Sequence, residues 1–126
     1  MNGIIVIDKQ KDWTSFDVVA KLRGIFHEKR IGHGGTLDPM ATGVLPVFVG
    51  KAARACDILP DETKAYEAEF RRGVTTDTLD ITGKILSERT ADKTMREVEL
   101  AAEKFVGDIM QIPPMYSAVK VGGKKL

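Results

Sequence analysis

The residue with the clearest chemical potential in this sequence is Asp38, which lies in a glycine-rich stretch from Ile31 to Gly43. Four glycines among these thirteen residues fit neither helical nor strand periodicity, so the stretch is predicted to be a loop. Pro39 favours an extended backbone at Asp38, and the glycines open the space around it. A carboxylate presented in this way can act as a nucleophile or as a base. The alternative is a turn aspartate that bonds to nearby backbone amides, and residue type alone favours that alternative.

Other chemistries that use glycine-rich loops do not fit this stretch. A phosphate-binding nucleotide loop would need Gly-Lys-Ser or Gly-Lys-Thr at the required spacing, and a dinucleotide fingerprint would need a third glycine and a preceding strand. The tripeptide His33-Gly34-Gly35 is typical of an esterase oxyanion loop, but the sequence has no Gly-x-Ser-x-Gly elbow. His27, His33 and Cys56 lack the spacing of zinc ligands. The sequence therefore predicts a site without a metal or a dinucleotide cofactor.

Tyr66 and Lys120 carry groups that enzymes use, but each has an ordinary structural explanation. Tyr66 fits a core aromatic on a strand, and Lys120 fits a solvated lysine on another strand. Neither residue, taken alone, predicts a functional site.

Length and composition indicate a globular protein. The chain has 126 residues, 43% hydrophobic and 29% charged, which is typical of one domain. No apolar run approaches the roughly 18 residues of a membrane span, and the N-terminus carries no basic leader. The single cysteine, Cys56, cannot form an internal disulfide, so a reducing cytoplasm is the expected location.

The charge balance argues against a uniformly basic nucleic-acid-binding protein. The chain has 19 Lys and Arg against 18 Asp and Glu. Binding depends on local potential, however, and two stretches are locally basic. An ordinary solvated surface would also explain both stretches. The first contains Lys21, Arg23, Lys29 and Arg30, with Glu28 as its one acid, and the second is the tail Ser117–Leu126 with Lys120, Lys124 and Lys125.

Alternating strand and helix patterns surround the glycine-rich stretch. The predicted elements of the N-terminal half are, in order, a buried strand at Ile4–Ile7, a helix at Phe16–His27 with a capping box of Thr14 and Asp17, a strand at Val44–Val49, and a short helix at Lys51–Leu59 stopped by Pro60. Pro46 argues for an edge position or an irregular strand.

The C-terminal half has weaker patterns. The first predicted elements are a half-buried strand at Lys64–Arg72, a connection at Gly73–Gly83 and a short strand at Lys84–Ser87. A helix follows, with a capping box of Thr94 and Glu97, and ends near Gly107. The last elements are an extended segment at Gln111–Pro114 and a strand at Tyr116–Val121, which is followed by a Gly122-Gly123 turn. Because strands and helices do not alternate strictly, the predicted class is α+β.

Taken together, these segments carry a resemblance to a known family. The segment Arg30–Val47, RIGHGGTLDPMATGVLPV, closely resembles the signature loop of the bacterial tRNA pseudouridine synthase B (TruB) family. Further segments are similar to the family in the same order along the chain, namely Gly3–Asp8, Trp13–Ser15, Lys64–Tyr66, Gly73–Gly83, Gln111–Lys120 and Gly123–Leu126.

The resemblance implies an activity and a partner. Family members convert uridine 55 in the T loop of tRNA to pseudouridine, without cofactor or metal. It implies a catalytic domain with a mixed, mainly antiparallel sheet flanked by helices. The tRNA T arm is the expected partner, no membrane is involved, and a monomer is expected. Chemistry on a base within folded RNA needs the nucleotide extruded into a pocket.

The resemblance also implies roles for particular residues. Asp38 matches the catalytic aspartate, which attacks the uridine at the ribose or at the base. Tyr66 matches the tyrosine that stacks on the base and is implicated in removing the proton from carbon 5. The residues that match substrate-binding positions are His33, Gly34, Gly35, Thr36 and Lys120.

Two departures from the family pattern limit what the resemblance implies. Gln10 stands where the family usually has proline. Residues 1–126 are expected to be the N-terminal part of the catalytic domain, without its later strands, its active-site arginine or a C-terminal PUA domain. On this expectation the chain alone folds poorly and has little activity, and two alternatives to an active enzyme stay open. One is a catalytically incomplete RNA-binding fragment, and the other is a structural protein.

Overall fold

In the computed structural model, residues 1–57, 63–112, 120–121 and 124–125 are described, and the chain divides into two compact units, Met1–Ala65 and Tyr66–Leu126. Helices combined with antiparallel strands confirm the predicted α+β class. The first unit contains β1 Gly3–Lys9, α1 Ser15–Phe26, β2 Ile31–His33, β3 Gly43–Val49 and a 3₁₀ segment Gly50–Asp57. The second contains β4 Val74–Thr76, β5 Ile85–Glu88, α2 Met95–Ala102, a 3₁₀ turn Glu103–Phe105, β6 Lys120–Val121 and β7 Lys124–Lys125.

The first unit is a three-stranded antiparallel sheet, in the order β1-β3-β2, with α1 on one face. The apolar stripe of α1 packs against alternate residues of the sheet, and this contact forms the core. Burying each such aliphatic side chain contributes about 1.5–3 kcal/mol. The core residues are Val18, Val19, Leu22, Ile31, Leu45, Val47 and Val49.

The prediction of a continuous glycine-rich loop was wrong, and so was the edge position offered as one of two alternatives for the strand at Val44–Val49. Ile31–His33 forms the short strand β2, because Ile31 is buried in the core and the segment pairs with Val47–Val49. Strand β3 is therefore central, despite Pro46. The backbone N and C=O groups of Pro46 point toward β2 and away from β1. The Pro46 carbonyl accepts from Gly34 N–H at 2.8 Å, just after the last paired residue of β2. The missing N–H of Pro46 thus removes no bond to β1.

Strand β1 is longer than predicted and is only half-buried. Its residues alternate, so that Ile5 and Ile7 pack against the core while Ile4 and Val6 are 59% and 65% exposed. The same alternation places Lys9 on the inner face, where it is 0% exposed. The row of inward-facing side chains on β1 therefore ends in a buried ammonium group.

Helix α1 begins as the sequence predicts. Thr14 Oγ1 accepts from Asp17 N–H at 3.0 Å, and the Asp17 carboxylate accepts from Thr14 N–H at 2.8 Å. This capping box lowers the pKa of Asp17, chiefly through the Thr14 hydroxyl. The helix ends at His27, whose φ of 51° is left-handed.

The second unit follows the predictions less closely. The described residues between Glu62 and Val74 contain no strand, so the predicted half-buried strand at Lys64–Arg72 was wrong. Residues 64–72 are exposed, and no strand within the described ranges pairs with them. The pairing of β4 with β5 is antiparallel, with a shift of register between Thr75 and Thr76.

Helix α2 has the predicted capping box, in which Thr94 and Glu97 exchange hydrogen bonds. It ends at Ala102 rather than near Gly107, and none of its residues is buried. Of the later predictions, only residues 111–112, β6 and β7 are described, and the Gly122-Gly123 turn, residues 113–119 and the helix stop at Pro60 lie outside that part. β6 and β7 pair antiparallel.

None of the helices in the described ranges has the length and apolarity that crossing a bilayer requires.

Candidate functional site

The predicted site loop connects β2 to β3 in the first unit, and we call residues 34–42 the Asp38 loop. Two glycines at its start have different structural requirements. Gly35 has a φ of +87°, which disfavours any other residue. Gly34 lies under the ring of the buried Phe48, and a Cβ at position 34 would stand 2.9 Å from Phe48 Cε2. Both glycines are therefore explained by the fold of the loop, apart from any substrate contact.

Asp38 lies at the start of a turn. Its backbone carbonyl accepts from Ala41 N–H at 3.0 Å, and Asp-Pro is a favoured first pair in such a turn. The Asp38 side chain is exposed, and its carboxylate makes no hydrogen bond or ion pair with any residue of the described ranges. The turn thus uses the backbone of Asp38 and leaves its carboxylate open to solvent.

The residue before Asp38 is held by Ser15, the first residue of α1. Ser15 is 2% exposed, and its Oγ accepts from Leu37 N–H at 3.0 Å and donates to the Leu37 carbonyl at 3.3 Å. The Leu37 side chain packs against the core of the first unit. Leu37 is therefore fixed through both its backbone and its side chain.

The residue after Asp38 is held by the turn between β1 and α1. The Pro39 carbonyl accepts from Asp12 N–H at 2.8 Å and from the Lys9 ammonium at 3.3 Å. The same ammonium donates to the carbonyls of Gln10 at 3.0 Å and Trp13 at 2.6 Å. Three carbonyl oxygens take the place of a counter-ion for this buried charge, and together they tie the Asp38 loop to the β1–α1 turn.

His33, the last residue of β2, is oriented by the loop that follows it. Its Nδ1 donates to the Gly35 carbonyl, since a carbonyl oxygen can only accept. In the neutral ring the remaining nitrogen, Nε2, is then an acceptor. This arrangement suits a contact in which Nε2 accepts from a hydroxyl.

The predicted site residues divide between the two units. His33, Gly34, Gly35, Thr36 and Asp38 share one loop region of the first unit, and Thr36 is exposed. Tyr66 begins the second unit and is 69% exposed, so the alternative explanation of Tyr66 as a core aromatic was wrong. Lys120 lies on β6, and its side chain is outside the described part of the chain.

The first basic stretch is only partly available for a ligand. Arg23 is engaged in the fold, because its guanidinium donates to the Ile31 carbonyl at 3.1 Å and lies 5.7 Å from the ring centre of Phe16. Arg30 lies 3.9 Å from Glu28, a weak surface pair in which Arg30 remains 66% exposed. The exposed cations of this stretch are Lys21, Lys29 and Arg30.

An aspartate in the second unit organises the turn between β4 and β5. The Asp80 carboxylate accepts from the hydroxyls of Thr78 at 2.9 Å and Thr82 at 2.6 Å, and from Thr82 N–H at 2.8 Å. These bonds, the Thr82 hydroxyl foremost, lower the pKa of Asp80. Within the described ranges, no group of three or more His, Cys, Asp or Glu side chains is arranged to hold a metal ion.

The sequence analysis missed Lys9 and Ser15. A signal for Lys9 was present, since the alternation Ile5, Ile7, Lys9 places it on the inner face of β1. Ser15 gave no comparable signal, because its partner lies 22 residues away and is a backbone group. Only the tertiary structure shows that both residues act on the Asp38 loop.

Comparisons with known proteins support the resemblance. A family model described as "TruB family pseudouridylate synthase (N terminal domain)" matches residues 23–126. A relative from Lactococcus lactis subsp. lactis strain IL1403, named tRNA pseudouridine synthase B, is 52% identical over 128 residues, covering 100% of this chain and 39% of the relative. A relative of the same name from Microcystis aeruginosa strain NIES-843 is 52% identical over 127 residues, covering 100% of this chain and 43% of the relative.

A solved structure is also similar. A chain in the crystal structure of a Cbf5-Nop10-Gar1 complex matches with a TM-score of 0.64 and 30% identity, over 94% of this chain and 31% of that chain. The present chain spans about two fifths of the length of the curated relatives. Since the family model covers most of the sequence, the chain belongs to the TruB family of pseudouridylate synthases.

Proposed function

We propose that this chain carries the catalytic aspartate of a tRNA pseudouridine synthase, and that the intact protein isomerises uridine 55 in the T loop of tRNA. The observation that carries the proposal is the structural environment of Asp38. Its carboxylate is exposed and unused by the fold, while the residues on either side of it are held by buried groups. A carboxylate that is open to solvent on a fixed backbone is suited to attack a bound substrate.

The proposed reaction is an isomerisation in which every atom of the uridine is kept. On the ribose route, the Asp38 carboxylate displaces N1 from the sugar and is itself displaced by C5; on the base route, it adds to the base and is eliminated once C5 has bonded to the sugar. Both routes stay open. The bond between N1 of uracil and the sugar breaks, the base turns, and C5 forms the new bond to the sugar. The proton on C5 then leaves to a base and N1 is protonated, so that no oxidant, reductant or metal is consumed.

Other residues have proposed roles in the same reaction. Tyr66 offers an exposed aromatic face on which a flipped pyrimidine can stack, and we assign it the removal of the C5 proton. His33 is proposed to contact the RNA through its Nε2, because its Nδ1 is bonded to Gly35. The loop backbone at Gly34, Gly35 and Thr36, together with Lys120, completes the proposed substrate-binding set.

The exposed cations of the first unit support a contact with the tRNA backbone. Lys21 lies in the middle of α1, and Lys29 and Arg30 follow the end of that helix. Each phosphate contact of this kind makes binding weaker as salt rises. The proposal keeps the monomeric state and the cytoplasmic location that the sequence predicts.

The proposal is tested with the intact protein and an unmodified tRNA transcript. Pseudouridine is mapped by carbodiimide labelling and primer extension, with a transcript that carries cytidine at position 55 as the control. We expect product at position 55 and at no other uridine. Product at a different site would overturn the assigned substrate, and the absence of product would overturn the enzyme assignment.

A catalytically incomplete RNA-binding fragment is the second candidate, because the chain covers only 39% and 43% of the two relatives. The 126-residue chain is tested by itself in a gel shift with tRNA at several salt concentrations. Salt-dependent binding without pseudouridine would favour this candidate for the isolated chain. Product formation by the isolated chain would contradict it.

A further inference from the structure

We propose that Ser15 is a positioning residue for Asp38, and that its hydroxyl fixes the backbone from which the Asp38 carboxylate projects. The inference rests on the proposed catalytic role of Asp38. It concerns a residue that lies on a different element, at the start of α1, and that contacts Leu37 rather than the substrate.

The geometry of the Ser15 hydroxyl fixes two peptide planes. A hydroxyl has one proton to donate and two lone pairs, so Ser15 Oγ can accept from Leu37 N–H at 3.0 Å while it donates to the Leu37 carbonyl at 3.3 Å. The N–H belongs to the peptide between Thr36 and Leu37, and the carbonyl belongs to the peptide between Leu37 and Asp38. Because peptide units are planar, the second bond also orients the backbone N–H of Asp38.

The backbone on the other side of Asp38 is fixed independently. The Pro39 ring restricts φ at that residue, and the Pro39 carbonyl is held by Asp12 N–H and by the Lys9 ammonium. With both flanking residues held, the freedom that remains is at Asp38 itself. The Ser15 contact is therefore the constraint on the incoming chain, and Lys9 constrains the outgoing chain.

The Ser15 hydroxyl is not needed to cap α1. Thr14 is the N-cap, and its exchange of hydrogen bonds with Asp17 closes the first turn without Ser15. Ser15 is also 2% exposed, so solvent does not compete for its hydroxyl. The two adjacent residues thus separate two tasks, with Thr14 stabilising the helix and Ser15 holding the loop.

This separation supplies a matched control. Ser15→Ala removes both bonds to Leu37, whereas Thr14→Ala removes the helix cap and leaves Leu37 held. We expect Ser15→Ala to lower kcat at least about tenfold with KM for tRNA within about twofold, because a small misplacement of a reacting group slows chemistry more than binding. Ser15→Thr keeps the hydroxyl and should restore most of the lost kcat. Thr14→Ala should lower Tm without lowering kcat.

A second measurement does not depend on activity. Hydrogen exchange of the Leu37 amide should rise at least about tenfold in Ser15→Ala and stay unchanged in Thr14→Ala. Unchanged exchange of the Leu37 amide in Ser15→Ala would overturn the role of the Ser15 hydroxyl in holding Leu37. This result can be read even if the intact protein makes no pseudouridine and the proposed function has failed. If the wild type is active and Ser15→Ala leaves kcat unaltered, the positioning role is overturned while the proposed function stays in place. The same holds if kcat falls in proportion to the loss of Tm to the same degree in Ser15→Ala and in Thr14→Ala.

Discussion

The buried ammonium of Lys9 lies 3.3 Å from the carbonyl oxygen of Pro39, across 30 residues of sequence. This bond joins the end of the first strand to the residue that follows Asp38. It also accounts for a fully buried lysine that forms no ion pair with any described residue, since three carbonyl dipoles surround its charge. The sheet thus holds the Asp38 loop through its backbone.

Replacement of Lys9 should destabilise the first unit. Lys9→Met fills a similar volume but leaves the carbonyls of Gln10, Trp13 and Pro39 without their charged donor. We expect a loss of about 3 kcal/mol in the free energy of unfolding, measured by urea denaturation of the intact protein. The exposed Lys11 provides the control, and Lys11→Met should change stability by less than about 0.5 kcal/mol. Equal effects of the two variants would contradict the account of Lys9.

The contact between Gly34 and Phe48 predicts a specific pair of substitutions. Gly34→Ala places a Cβ 2.9 Å from Phe48 Cε2, in a site where Phe48 is 1% exposed and has little room to move. We expect a loss of about 1–3 kcal/mol in the free energy of unfolding. Phe48→Leu in the same chain should recover at least about 0.5 kcal/mol relative to the sum of the single changes.

Denaturation of the two single variants and the double variant measures this coupling. Gly3→Ala is the control, because nothing lies within 4 Å of a Cβ built at that position. Strict additivity of Gly34→Ala and Phe48→Leu would show that the ring does not limit position 34.

Gly24 should be replaceable with a gain in stability. It lies inside α1, it is exposed, and a Cβ built there meets nothing within 4 Å. Gly24→Ala lowers the backbone entropy of the unfolded chain, so we expect the urea midpoint to rise by an amount equivalent to about 0.5–1 kcal/mol. An unchanged or lower midpoint would indicate a contact at this position that the fold does not account for.

Asp80 should make the turn between β4 and β5 sensitive to acid. Hydrogen bonds from Thr82 and Thr78 lower its pKa below the ordinary value of 3.8. The ionised form is therefore favoured in the fold, and its contribution to stability is present above pH 3.8 and lost as the pH falls through the lowered pKa. NMR titration of the Thr82 amide should give a midpoint below 3.8, and Asp80→Asn should abolish that transition. A midpoint at or above 3.8 would contradict the hydrogen-bond account.

Local sequence patterns predicted the elements that are stabilised by local contacts. The capping boxes of Thr14 with Asp17 and of Thr94 with Glu97 are confirmed, because each is complete within four residues. The two long strands of the first sheet are confirmed as strands, since each is an apolar run that packs its inward residues against the core.

Features that depend on distant partners were not predicted. Strand β2 exists because Val47–Val49 offers a partner to Ile31–His33, and no pattern within its three residues shows this. Residues 64–72 alternate like a strand but remain exposed, since periodicity alone supplies no neighbouring strand. The position of Asp38 in a loop followed from the glycine-rich sequence, whereas His33 lies on β2, and the support from Lys9 and Ser15 required the tertiary fold.

The most direct test of the central claim is the turnover of Asp38→Asn in the intact protein, with an unmodified tRNA transcript as substrate. The amide cannot serve as the nucleophile, so we expect pseudouridine formation to fall at least about a thousandfold while the Kd for tRNA stays within about threefold. Asp12→Asn is the matched control, because asparagine tolerates the φ of 66° at that exposed turn position. Turnover by Asp38→Asn at the rate of the Asp12→Asn control would remove Asp38 from catalysis and contradict the account.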